Sequence, residues 1–248
     1  MISVLAYNIQ YGRKLDLIER WLLKDPAKFD VICLQEFPFN ESAKFLEAFT
    51  KHSFDYRFAP SISGKNKLYG ELTLYKKRKL KLMDEKIVKL GTNLLETRFR
   101  RKGQRTSLLT VFKYNNKKLV LANSHLVCFA LNSKRINQIS KIIKGVKAIG
   151  DHSAFATLIL GDFNYTSRIR QKKLMEFMEK NELNNAYKTH THKLFFIKQQ
   201  LDYVFYNGCR VKNVKIGKRI KYSDHSPVWF DIDLERYPLA ISKNCCYV

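Results

Sequence analysis

The chain alternates between short apolar runs and polar connections. Eight runs stand out: "ISVLAY", "DVICLQ", "ELTLY", "SLLTVFKY", "KKLVLANS", "FATLIL", "LDYVFY" and "PVWFDIDL". They are rich in Val, Ile, Leu, Phe and Tyr, and several alternate, which predicts β-strands. Between them the period changes. Leu15, Ile18 and Leu22 share a face over 15–23, and Asn40 is placed to cap "ESAKFLEAFTKH", turning Phe45, Leu46 and Phe49 inward. Ser133 is placed to cap a long helix carrying Ile136, Ile139, Ile143 and Val146, with Gly150 at its end. A shorter helix is predicted over 170–180, through Leu174, Phe177 and Met178. Strands outnumber helices, and helices do not follow every strand. That argues against a simple doubly wound sheet and predicts a layered α/β sandwich with mixed or antiparallel sheets.

No Pro/Gly/Ser-rich linker, internal repeat or low-complexity tract interrupts the 248 residues, so a single domain over 1–236 with a tail at 237–248 is expected. The charge changes the picture more. Forty-six Lys and Arg against 22 Asp and Glu give +24, a long-range positive field that attracts polyanions. Nucleic acid is the first expected partner and an anionic membrane the second; no obligate protein partner is inferred. The five cysteines form no C-x-x-C pair, which argues against a zinc site or disulfide framework. The apolar opening is too short for a signal peptide, and no run reaches transmembrane length. The expected location is therefore intracellular.

Polar residues collect at the ends of the apolar runs. Asn8 follows "VLAY", Glu36 follows "VICLQ", and His125 follows "LVLANS". Asp162 and Asn164 follow "LILG", Asp202 opens "LDYVFY", and Asp224 and His225 precede "SPVWFDI". Each alone has an ordinary explanation as a cap, a turn or a hydrogen-bonded core group. If the strands share a layer, several of these ends converge on one rim. Such a set holds a hard divalent cation through oxygens and activates water beside a phosphate.

The pieces "YNIQYG", "CLQE", "NSHL", "GDFN", "LDYVF" and "SDHSPV", in this order over 7–228, resemble the endonuclease/exonuclease/phosphatase superfamily. The resemblance implies the deoxyribonuclease I-like fold, a four-layer α/β/β/α sandwich of two mixed sheets with outer helices. It implies a phosphoesterase that uses Mg²⁺ or Mn²⁺, with Glu36 as principal metal carboxylate, Asn8 beside it and Asp224 completing the metal side. Asp162 would orient or deprotonate the attacking water, and Asn164 would hold a phosphoryl oxygen and the nucleophile in line. His225 paired with Asp202 would contact the phosphate, and His125 would donate to a second oxygen. Many nuclease members carry an acid two positions after the first Asn; here that position is Gln10, which weakens the electrostatic hold on a cation. His52, His152, His190 and His192 match no motif, and "THTH" reads as a solvent-facing loop or strand.

The substrate is expected to be nucleic acid, cut by in-line attack of water. The basic runs "KKRKLK" (76–81) and "RFRRKGQR" (98–105) read equally as solvated hairpin tips or as contacts, and the first also suits a nuclear-localisation signal. Arg98, Arg100, Arg101 and Arg105, with Lys218, Arg219 and Lys221 just ahead of Asp224, are the candidate substrate contacts. Two alternatives stay open: a membrane-associated lipid or inositol phosphate hydrolase, and a non-catalytic polyanion-binding module. For the lipid alternative, "CCYV" places Cys245 at the prenylation position with an ill-fitting Tyr247, and adjacent Cys245 and Cys246 suit palmitoylation.

Overall fold

A computed structural model describes residues 1–64, 67–92, 102–128, 130–150, 155–194, 197–218 and 220–234. Two sheets lie face to face. The first runs in the order β14 (Arg210–Ile216), β15 (Val228–Asp233), β1 (Ile2–Asn8), β2 (Val31–Pro38), β4 (Lys67–Lys76), β3 (Phe54–Gly64), β6 (Lys102–Gly103). The second runs β10 (Asn184–Asn185), β13 (Asp202–Asn207), β9 (Phe155–Asp162), β8 (Lys117–His125), β7 (Arg105–Tyr114), β5 (Lys81–Gly91). Both are mixed: β1 pairs β2 in parallel and β8 pairs β9 in parallel, and the other named pairs are antiparallel. A short ribbon, β11 (His192–Leu194) with β12 (Ile197–Gln199), stands apart.

Strand alternation builds the layers. Val4, Ala6 and Cys33 from one sheet meet Leu119, Leu121, Leu158 and Val204 from the other in the central core. Their neighbours Leu5, Tyr7, Ile32 and Leu34 face the opposite way, against Ile18 and Leu22 of α1 (Leu15–Leu23) and Phe45, Leu46 and Phe49 of α2 (Ala43–Lys51). On the far side Val120, Ala122 and Ile159 pack on Ile139, Ile142, Ile143 and Val146 of α3 (Asn132–Ile149) and on Leu174 and Met178 of α4 (Arg168–Lys180). This is the expected four-layer sandwich. The central strands read as unbroken apolar runs because both faces are covered, and each buried Leu, Ile or Phe contributes about 1.5–3 kcal/mol.

Local details depart from the sequence reading. Asn40 does not cap α2; it lies in a 3₁₀ turn (Phe39–Glu41), and Ser42 occupies the cap position, its hydroxyl spent on the Pro38 carbonyl. Ser133 lies inside α3, whose N-cap is Leu131. Gly150 does close α3, in the right-handed conformation (φ −69°). At α4 the cap is Ser167, which accepts from the Arg170 N–H at 3.3 Å. The 76–81 run is no hairpin tip: it carries the chain from β4 in one sheet to β5 in the other. Lys79 Nζ lies 2.6 Å and Lys76 Nζ 3.6 Å from the largely buried Asp30 carboxylate, so part of this charge is structural.

The two sheets are also joined by a buried polar link just below the rim. Gln35 Nε2 on β2 donates to Asn123 Oδ1 on β8 at 2.7 Å, and Asn123 Nδ2 donates across to the Leu72 and Leu34 carbonyls at 2.9 and 3.2 Å. Satisfying that amide fixes how the sheets sit on each other.

Candidate active site

Strand register places the first three groups. His125 on β8 lies opposite Asp162 on β9, and Asp162 lies opposite Asp202 on β13. Opposed positions in a sheet share a face, so the three form a row at one rim. Gly161 allows it: its φ is +127°, and a Cβ there would sit 2.0 Å from the Ser124 carbonyl oxygen.

The facing sheet supplies the rest. Asn8 ends β1. Glu36 sits in a β-bulge, where Gln35 and Glu36 together oppose Glu71 between the pairs Leu34–Leu72 and Phe37–Gly70. Its φ is 60°, a left-handed conformation that costs a non-glycine residue about 1–3 kcal/mol. The bulge re-aims the side chain, and the Tyr11 N–H donates to Glu36 Oε2 at 3.1 Å. The 223–225 loop is pinned to the same strand end, with Ser223 Oγ donating to the Asn8 carbonyl at 2.7 Å and accepting from the His225 N–H at 3.2 Å.

Asp162 is the centre of the constellation. Its Oδ2 accepts from Asn8 Nδ2 at 3.0 Å and lies 3.4 Å from His125 Nε2 and 3.7 Å from His225 Nε2. Its Oδ1 accepts from the Asn164 N–H at 2.9 Å. Asn164 itself has φ 56° and spends one amide hydrogen on the Leu126 carbonyl at 3.0 Å. His125 Nδ1 is 3.8 Å from Glu36 Oε1, and His225 Nδ1 is 2.8 Å from Asp202 Oδ2.

Burial and mutual charge set the proton affinities. Burial pushes Glu36 up to about 7, against the pull of Arg105. Burial also pushes Asp162 up to about 6, opposed by His225 and reinforced by Asp202. Burial alone would lower His225; the carboxylates of Asp202 and Asp162 outweigh it and hold the imidazole up at about 10. Asp224 feels burial upward, yet His192 and His225 take it down to about 2. Near neutrality the site therefore holds an imidazolium beside carboxylates tuned to exchange protons.

The family model described as endonuclease/exonuclease/phosphatase matches residues 5–225. The chain belongs to this family. Among solved structures, the human Nocturnin catalytic domain with bound sulfate superposes with a TM-score of 0.74 at 18% identity, covering 94% of each chain. ANGEL2, described as a 2′,3′-cyclic phosphatase, gives 0.74 at 15% identity, covering 94% of this chain and 95% of that one. A UPF0294 protein of Erwinia tasmaniensis is 28% identical over 131 residues, 52% of this chain and 47% of that protein. That match thus spans about half the length of the relative.

Endonuclease/exonuclease/phosphatase family enzymes are generally divalent-metal dependent, and the donor set here fits such an ion. Glu36, Asn8 and Asp224 offer oxygens on the rim, which suit hard cations. Burial, the largest cause of the raised proton affinity of Glu36, makes its negative charge costly, and a bound cation would offset that cost. Gln10 lines this pocket without adding a charge, and its N–H holds the Asn8 Oδ1 at 3.0 Å.

Asn8, Glu36, His125, Asp162, Asn164, Asp224 and His225 thus line one pocket, with Asp202 braced behind His225. Arg105 is not an exposed basic contact. It is buried, with Nη1 2.8 Å from His125 Nδ1 and 3.1 Å from Nε2, so it lies beneath the pocket. Lys218 and Lys221 are exposed on the loop ahead of Asp224. Arg98, Arg100, Arg101, Arg219, Cys245, Cys246 and the 237–248 tail lie outside the described residues. Among the described residues, no helix is long and apolar enough to cross a membrane.

His192 is the residue that sequence reasoning set aside. It forms an isolated β-bridge with His225; their rings lie 4.8 Å apart, and its Nε2 is 3.7 Å from Asp224 Oδ2. Donor atoms of His192, Asp224 and His225 come within 4.8 Å of one another. The proton held on His225 opposes its use as a ligand there. "THTH" gave no hint, because a short ribbon remote in sequence brings His192 back over the site.

Proposed function

We propose that the protein is a divalent-metal-dependent phosphodiesterase that hydrolyses nucleic acid. The observation that carries this reading is the single Asp162 carboxylate held among Asn8, Asn164, His125 and His225. The net charge of +24 supports a polyanionic substrate.

The residues divide the work. Asp162, fixed on both oxygens by amide donors and tuned near neutrality, orients a water and takes its proton as the water oxygen bonds to phosphorus. His225, held charged by Asp202, faces a non-bridging oxygen and stabilises the charge that grows there. His125 donates to a second oxygen, and Asn164 keeps an amide hydrogen for the phosphoryl group. The ester oxygen leaves opposite the incoming water and is protonated from solvent. Glu36, Asn8 and Asp224 would hold Mg²⁺ or Mn²⁺, whose Lewis acidity lowers the repulsion between phosphate and nucleophile.

A hydrolysis panel tests this: plasmid DNA, single-stranded RNA, sphingomyelin and phosphoinositides, each with Mg²⁺, Mn²⁺ or EDTA. Nicking of plasmid or RNA that EDTA abolishes, and that Asp162→Ala and His225→Ala lose while staying folded, is the expected result. Exposed Lys218 and Lys221 assist binding, so affinity for duplex DNA falls with salt at a log–log slope of about −0.9 per phosphate neutralised. Release of phosphocholine or inorganic phosphate in place of nucleotides overturns the assignment. So does tight polyanion binding with no turnover under any metal.

A further inference from the structure

A second, larger cavity of about 1070 Å³ adjoins the catalytic pocket of about 430 Å³, and Tyr11 and Arg13 line both. We propose that this cavity is a subsite for the neighbouring nucleotide of a single-stranded oligonucleotide, an inference that rests on the phosphodiesterase reading above.

Tyr11 is the hinge between the two spaces. Gln10 and Tyr11 both take left-handed conformations (φ 50° and 56°), which lift the chain out of β1. The Tyr11 N–H braces Glu36 in the catalytic pocket, while its half-buried ring belongs to the cavity wall and meets Tyr69 edge-on, with centroids 5.0 Å apart at 77°. Four cations, Arg13, Lys14, Arg20 and Lys67, and two acids, Asp16 and Glu41, line the cavity around this pair. Lys67 is shared with Glu41 at 2.7 Å, and Lys14 reaches the Lys221 carbonyl at 3.0 Å, next to the loop that carries Asp224. Aromatic faces beside an excess of cations over acids suit stacked bases joined by phosphates. An acyl chain needs a continuous aliphatic wall, which charged side chains interrupt here. Duplex DNA keeps its bases stacked on one another, so the occupant is an unpaired strand. Arg13, standing on the shared wall, takes the phosphate that links the base in the cavity to the ester being cut.

The test uses the full chain with Mg²⁺ or Mn²⁺ and two substrates: a single-stranded tetranucleotide, and bis(p-nitrophenyl) phosphate, which is too small to span both spaces. The expected result is that Tyr69→Ala lowers the ratio of kcat/KM for the tetranucleotide over the small diester by about tenfold. The loss is mainly through KM, and Tyr69→Phe restores the ratio. Arg20→Glu lowers the same ratio and flattens its salt dependence. Anisotropy of a fluorescent tetranucleotide in EDTA reads the subsite without turnover, and Tyr69→Ala weakens that binding to a similar degree. Unchanged ratio and unchanged anisotropy in both variants overturn the subsite while leaving the catalytic assignment intact. Failure of the parent protein to cleave either substrate with any metal sinks the assignment instead. Preferential cleavage of sphingomyelin over the tetranucleotide overturns the occupant proposed here.

Discussion

Nδ1 of His225 lies 2.8 Å from Oδ2 of Asp202. Asp202 opens a strand of the six-stranded sheet, whereas His225 precedes an interior strand of the seven-stranded one. The pair therefore spans the sandwich, and it orients the imidazole and keeps it charged. Asp202→Asn preserves the shape but removes the charge. Turnover is expected to fall roughly 10²–10⁴-fold, with the alkaline limb of the pH–rate profile moving to lower pH. An unchanged profile would refute this role for Asp202.

The same pair links stability to pH. His225 has its folded affinity raised from 6.5 to about 10. Its contribution is fully present below the unfolded value and is lost as pH rises through the folded one. Metal-free protein should lose stability between about pH 6.5 and 10, and His225→Gln should flatten that slope in urea titrations. The Hε1 resonance of His225 should stay in its protonated position from pH 6 to about 8.5 by NMR; a midpoint near 6.5 would sink the assignment.

Glu36 faces opposite demands with and without a cation. Burial makes its charge costly in the metal-free fold. Glu36→Gln should therefore raise the melting temperature of the EDTA-treated protein at pH 8, while weakening Mn²⁺ binding by calorimetry at least about tenfold. Equal Mn²⁺ affinity in both proteins would remove Glu36 from the metal site.

Gly161 is where β8 and β9 come too close for a side chain. Gly161→Ala must push Ser124 away and adopt a strained φ. A loss of more than about 1 kcal/mol is expected in denaturant titration, together with loss of turnover from misplaced His125 and Asp162. A neutral substitution would show that the register tolerates the shift.

Much of this architecture was readable in advance, for definite reasons. The runs that became β1, β2, β4, β7, β8, β9, β13 and β15 are covered on both faces or pack firmly on one, so they carry strong apolar signals. β5 was missed because "KLMDEKIVKLG" is mostly exposed and charged, as an edge strand is. β14 is absent from the apolar runs for the same reason: it is Lys- and Arg-bearing and closes the edge of the other sheet. The rim residues were legible because each follows or opens an apolar run. His192 and the inward turn of Arg105 were not, since both depend on long-range contacts that local spacing does not encode. Helix caps misled at Asn40 and Ser133, where the chain makes a 3₁₀ turn or starts its helix two residues early.

The buried amide of Asn123 reaches across the sandwich to Leu34 and Leu72, and Asn8 reaches across to Asp162. The pocket therefore acts as a gauge of inter-layer spacing. Loss of volume deep between the layers, as in Leu121→Ala, loosens the setting of that gauge. Activity then fails by misalignment at the rim while the layers still hold together.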